Sequence, residues 1–301
     1  MEKELKKPAV GGKKRKLNRL LPADYVFILI LVILSVSVVL PFLNVIAISF
    51  STDMEVGSKP YMIFPTSFHF DSYKVLLSSS GIWRSIGLTV IYVVGYVALN
   101  IITSLLAGFA ISGNVPGKGF MLTYLLIPTL FSGGLVPTYL VITSLGLVDN
   151  VLLFFIIGCV SCFDILLVKT YIRGLPYSVT EAAYLDGANY LQLLFYVIAP
   201  MCVPILATIG TLAAISKWND WWLGYMYIKD KTYLWPIQNV IRKLSLEKDP
   251  VSMRELGINV SLFTESFQMA SIMVVTLPIM CIYPFIQKYF EQGLNVGSVK
   301  D

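Results

Sequence analysis

Few residues in this 301-residue chain are of types that perform covalent chemistry, and their spacing argues against it. His69 is the single histidine, so no metal or acid–base cluster built on histidine is expected. Cys159 and Cys162 stand at C-x-x-C spacing, but inside an apolar run where cysteines behave as small apolar side chains. The nearest approach to a phosphate-binding loop is Gly113-Asn-Val-Pro-Gly117-Lys118-Gly119. Its spacing is wrong, and glycine stands where Ser or Thr must follow the lysine. Asp164 is the lone acid within a long apolar stretch. An acid at that depth calls for a partner, and Lys169 or a residue of another subunit qualifies; one acid is too little for a proton-relay chain. The expectation is a chain with no catalytic residues and no metal.

The elements that must position these residues are membrane spans. The chain is 56% hydrophobic and only 14% charged, with a mean hydropathy of +0.74. A soluble domain carries about a quarter charged residues, so this composition cannot cover a water-facing globule. A spanning helix needs about 20 apolar residues. Six stretches qualify, at 25–50, 85–111, 120–142, 150–168, 193–215 and 266–286. The expected fold is therefore all-α and polytopic, with six transmembrane helices. The first stretch reads as a retained anchor, being too long for a signal-peptide core. The third is the least regular, because Pro128, Gly133, Gly134 and Pro137 fall within it.

Loop charge sets the expected orientation. Residues 1–24 form a basic tail with Lys3, Lys6, Lys7, Lys13, Lys14, Arg15, Lys16 and Arg19, which favours a cytoplasmic N-terminus over nucleic-acid binding. Six spans then return the 287–301 tail to the same side. The 25–286 transmembrane unit carries two sizeable extramembrane segments, a cytoplasmic one at 169–192 and an external one at 216–265.

The cytoplasmic segment holds the most specific pattern. Pro176 ends what precedes it, and Ser178-Val-Thr-Glu181 reads as a capping box that starts a short helix. That helix breaks at Asp186-Gly187. Ala182, Ala183, Gly187 and Ala188 are small, so the elbow presents little bulk and suits a groove on another protein. A plain connecting loop is the simpler alternative.

Glu181-Ala182-Ala183, then Gly187, then Val197-x-Ala199-Pro200 resembles the EAA loop of the membrane subunits of binding-protein-dependent ABC importers. Val197 and Ala199 depart from that pattern by apolar exchange only. Residues 127–150, the Trp218-Asn219-Asp220 run, and the C-terminal Gln287-Lys288-Tyr289-Phe290, Gly293, Gly297 and Val299-Lys300 resemble carbohydrate-type permeases of this family, the tail being that of the second permease of maltose-type pairs. The subfamily most similar serves oligosaccharides and polysaccharide fragments in Gram-positive bacteria.

The resemblance implies a type I ABC importer permease, a five-helix core over about 80–286 plus an N-terminal helix, in a bacterial cytoplasmic membrane with both termini inside. Glu181, Ala182, Ala183 and Gly187 would form the coupling helix seated in an ATPase subunit. Gln287, Lys288, Gly293, Gly297 and Lys300 would belong to a tail facing that subunit. The implied partners are a second permease, two ATP-binding cassette subunits, an extracytoplasmic solute-binding lipoprotein, an oligosaccharide and the lipid bilayer, with no nucleic acid. The chain itself would hold no cofactor, ATP and Mg being bound by the ATPase subunits.

Residues for the translocation path are less defined. Pro128 and Pro137 should leave carbonyls without donors, and Gly133-Gly134 loosens the backbone, which at membrane depth implies a cavity or a packed kink. Asn100, Ser104, Gly108 and Ser112 repeat every four residues, as a packing face or a polar groove. Trp218 and Asn219, with Trp221, Trp222, Tyr225 and Tyr227, suit an interfacial aromatic belt or a sugar contact. Cargo of the same architecture but different chemistry (peptides, amino acids, an oxyanion) is the alternative. An ion-coupled secondary transporter would need intramembrane charges or inverted repeats, and neither is evident.

Overall fold

A computed structural model describes residues 22–298 apart from 60, 114 and 247–263, and of residues 22, 23, 246, 283 and 285–298 the backbone alone. The basic tail up to residue 21, Lys300 and the 247–263 part of the external loop therefore lie outside the described residues. All regular structure among the described residues is helical.

The first, second and last expected spans are long continuous helices: α1 (Pro22–Ser49), α4 (Ser80–Ser112) and α14 (Glu265–Ser298). Between α1 and α4 lie the short α2 (Asp53–Ser58) and α3 (Asp71–Ser78). By length and composition three helices can cross a membrane, or five if each of two bent pairs is one span. Six continuous spans are not found among the described residues, and the difference lies in three breaks.

The third stretch folds as α5 (Lys118–Leu130) and α6 (Leu135–Ser144), bent by 116°. Gly134 sits at φ +87°, a conformation that glycine adopts without a Cβ penalty, and this turns the chain. Pro128 lies inside α5 and removes a helical donor, as expected. Pro137 does not: it occupies the first turn of α6, where backbone N–H groups lack helical acceptors in any case.

The fourth stretch, 150–168, is not one helix. It forms α7 (Leu152–Ile156) and α8 (Cys162–Arg173), parted where Gly158 takes φ +83°. Carbonyls freed by such a break must be satisfied inside the protein. Side chains of α4 do this: Tyr96 Oη donates to Gly158 O (2.8 Å), while Asn100 Nδ2 (3.2 Å) and Thr103 Oγ1 (3.1 Å) donate to Cys159 O.

The fifth stretch forms α10 (Tyr190–Met201), which contains a π-helical turn at Leu193–Ile198, and α11 (Val203–Trp218), bent by 76°. Beyond it come α12 (Trp222–Tyr227) and α13 (Ile237–Leu246), which lies on the bundle through Ile237, Val240, Ile241 and Leu244.

The centre of the fold is α4, packed chiefly on α8 and α11, while α1 touches mainly α14 at the periphery. The stripe of small residues on α4 brings the helices together. A Cβ at Gly108 would stand 2.8 Å from Val168 Cγ1, so only glycine fits this crossing. α1 presents its apolar residues outward along most of its length, as a bilayer-facing helix does.

Candidate functional site

The elbow is α9 (Tyr177–Leu185), reached from α8 across Gly174, Leu175 and Pro176. The expected capping box does not form. Pro176 is the N-cap residue and starts the helix before Ser178, which then lies inside it. A residue with helical dihedrals cannot serve as a cap, so Glu181 is left exposed with no hydrogen bond or ion pair among the described residues. Its carboxylate is free for a partner.

The C-terminal break is where expected. Gly187 has φ +81°, its N–H donates to Tyr184 O (3.0 Å), and the Ala188 N–H donates to Ala183 O (3.0 Å). These two bonds make a Schellman motif, which needs a left-handed residue at this position. The reciprocal box missing at Ser178 occurs one step later: Asn189 N donates to Gln192 Oε1 and Gln192 N to Asn189 Oδ1, both 2.9 Å. The end of α9 and the start of α10 are thus both locked by local hydrogen bonds.

Ala183 packs inward on the cluster formed by Val168, Leu193, Leu194 and Ile198. Ala182 faces out, as do Tyr177 and Leu185, which are 76% and 83% exposed. An apolar patch of this kind on a helix whose C-terminal end is locked suits a partner protein. Behind it lies a cleft of about 640 Å³, lined by Phe109, Arg173, Thr180 and Tyr190 among others.

Gln287, Lys288, Gly293 and Gly297 fall within α14, which runs unbroken to Ser298. The candidate translocation residues do not converge on one place. Pro128, Gly133, Gly134 and Pro137 sit along the bent α5–α6 pair, which is exposed over most of its surface. Trp218 spends its indole N–H on Val275 O (3.2 Å). Asn219 is tied to Ile215 O (2.9 Å) and accepts from Gln238 Nε2 (3.3 Å).

Asn100 and Asp164, by contrast, meet: Asn100 Nδ2 donates to Asp164 Oδ2 at 3.0 Å, and both are buried. Lys169 is not the partner, since five residues along a helix is about 140° around it. Cys159, Cys162, Cys202 and Cys281 are free thiols, and no metal-binding group occurs among the described residues.

Two features escaped the sequence. Lys217, expected in an open external loop, is buried against the Tyr96 and Phe154 rings and paired with Asp220 at 3.1 Å. The i,i+3 charge spacing was the available signal. The second is Asp149, at φ +52° between α6 and α7, whose Oδ1 accepts from the N–H groups of Lys229 (2.8 Å), Asp230 (3.1 Å) and Lys231 (3.2 Å). This clasp ties the α6–α7 loop to the segment after α12.

Partial desolvation pushes the Asp149 carboxyl up, but the three backbone donors outweigh it and hold it below the ordinary aspartate value. A lowered folded value means the stabilisation is present above the unfolded pKa and lost as pH falls through the folded one. Thermal midpoints of wild type and Asp149→Asn, compared from about pH 6 down to about pH 2, should differ most at the upper end and converge at the lower. A constant difference across that range would contradict the clasp.

The family described as binding-protein-dependent transport system inner membrane component matches residues 117–296. The polygalacturonan/rhamnogalacturonan transport system permease protein YtcP of Bacillus subtilis (strain 168) is 34% identical over 265 residues, covering 87% of this chain and 92% of that protein. Protein LplC of the same organism is 33% identical over 264 residues, covering 87% and 89%. Among solved structures, a bacterial ABC transporter involved in import of the acidic polysaccharide alginate superposes with a TM-score of 0.80 at 25% identity, covering 90% of this chain and 99% of that one.

Proposed function

The chain belongs to the family of binding-protein-dependent transport system inner membrane components, and from that premise we propose that it is the permease subunit of an ATP-driven importer of oligosaccharides or polysaccharide fragments. The observation that carries this reading is the elbow at α9, with Glu181 free and Gly187 in a left-handed turn, inside the matched region. The cargo rests on relatives described as transporting polygalacturonan/rhamnogalacturonan and alginate.

In this reading α9 seats in a cleft of an ATPase subunit, and the free Glu181 carboxylate pairs with a basic residue there. ATP and Mg are held by that partner, and its closure drives the spans between inward- and outward-facing states. A second permease covers the exposed α5–α6 pair. An extracytoplasmic binding protein delivers sugar at the face opposite the elbow, and both termini are cytoplasmic.

A cysteine placed at Ala182, on the outward face of α9, tests the docking. In the assembled importer it should crosslink to the ATPase subunit, and more efficiently with ATP bound. An assembled, transporting particle with no crosslink from any outward position of α9 would rule the docking out.

A further inference from the structure

At the far end of α11 from the elbow, about 24 Å along its axis, α12 and α13 carry a constellation that the transport reading does not use. Arg242, exposed on α13, lies over the Trp221 ring at 3.7 Å from its centroid, with the Tyr225 ring at 6.0 Å. Trp221 meets Trp222 and Tyr225 edge-on, at 5.5 and 5.8 Å between centroids. Trp222 and Tyr225 are 42% and 53% exposed. One helical turn before Arg242, Gln238 donates to Asn219 Oδ1, which leaves its own carbonyl oxygen available.

The charge is unspent. The two ion pairs among the described residues are Lys74–Asp71 and Lys217–Asp220, and Arg242 makes no hydrogen bond there. A guanidinium lying on an indole is held by its face, and its planar edge keeps N–H donors in the fork that matches a carboxylate. Aromatic rings beside it offer apolar area at little entropic cost, the surface against which a sugar packs its C–H face. An amide oxygen one turn away accepts from a hydroxyl. A neutral sugar would use the rings and the amide and leave the cation idle.

We propose that Trp221, Tyr225, Gln238 and Arg242 form a contact site for anionic oligosaccharides, with Arg242 binding a uronate carboxylate and the aromatic rings holding the sugar face. The inference rests on the sugar-importer reading and narrows its cargo to acidic sugars. Arg242 is then a specificity-determining residue of this chain, on the side where cargo enters.

The test uses the whole importer, with its second permease, ATPase subunits and binding protein, reconstituted in vesicles. Two probes are compared: trigalacturonate, and its fully methyl-esterified form, which has the same rings but no charge. Wild type should take up the acid in preference to the ester. With the same binding protein present, Arg242→Gln should reduce that acid-to-ester ratio about tenfold, the worth of one charge-assisted bidentate contact. Arg242→Lys, which keeps the charge but loses the fork, should reduce it by less, and carries the test should the Gln variant not assemble. Tyr225→Ala should lower uptake of both probes together, whereas Trp221→Ala, which also removes the ring that holds the guanidinium, should lower uptake and the acid-to-ester ratio alike. An unchanged ratio in Arg242→Gln, or in Arg242→Lys where that variant carries the test, would overturn the proposal. So would equal uptake of both probes by wild type, which leaves the importer reading standing. Uptake of neither by wild type would overturn the oligosaccharide-importer reading and this inference together.

Discussion

Replacing Gly187 by valine should reduce ATP-driven uptake at least tenfold, whereas replacing it by asparagine should leave most of it. The reason is the backbone. Gly187 stands at φ +81°, where its N–H and that of Ala188 close the end of α9. An L-residue in that region costs about 1–2 kcal/mol, least for asparagine and most for a β-branched side chain. Valine therefore opens the Schellman turn and lets the end of α9 fray, and a frayed end cannot hold the outward face of the helix against a partner. Nothing lies within 4 Å of where the new Cβ would sit, so no internal clash competes with this explanation. Uptake is to be measured beside the amount of protein in the membrane, which should stay near wild type for both variants. Equal loss with asparagine and valine would point to the side chain rather than the turn.

The second large effect concerns stability. Asn100→Leu removes the donor to Asp164 Oδ2 and to Cys159 O at once, at a site where Asn100 is 1% exposed. A buried acceptor robbed of its donor costs about 1–3 kcal/mol, more than the hydrogen bond contributes by being present. Asn100→Leu with Asp164→Leu removes donor and acceptor together and should regain much of the loss. Thermal unfolding of the purified protein in detergent would show the single variant clearly below wild type and the double variant between them. A single variant as stable as wild type would mean that Asp164 has another partner.

How much of this was legible in the residues follows from the range of each interaction. The runs at 25–50, 85–111 and 266–286 became continuous helices because twenty or more apolar residues at membrane depth leave the backbone one way to satisfy itself, and this holds even across Pro41, Pro278 and Pro284. Gly187 was legible because a left-handed turn after a short helix selects glycine locally. The capping box was misplaced because Ser178 and Asn189 both fit the pattern, and the start of the helix at Pro176 decided between them. The break at Gly158 was illegible for a different reason. An apolar run with one glycine reads as a helix, and what makes the break tolerable is Tyr96, Asn100 and Thr103, more than fifty positions away. The burial of Lys217 and the stacking of Arg242 on Trp221 depend likewise on helix placement rather than on neighbours in the chain.

The hydrogen bonds from α4 across the Gly158 break have a mechanical meaning. They pin the root of α8 to the central helix, and only three residues separate the tip of α8 from the elbow. In the proposed docking, a displacement applied to the elbow by the ATPase subunit would have little slack in which to dissipate. It would turn α8 and α4 together as one crank, delivering torque to the middle of the bundle.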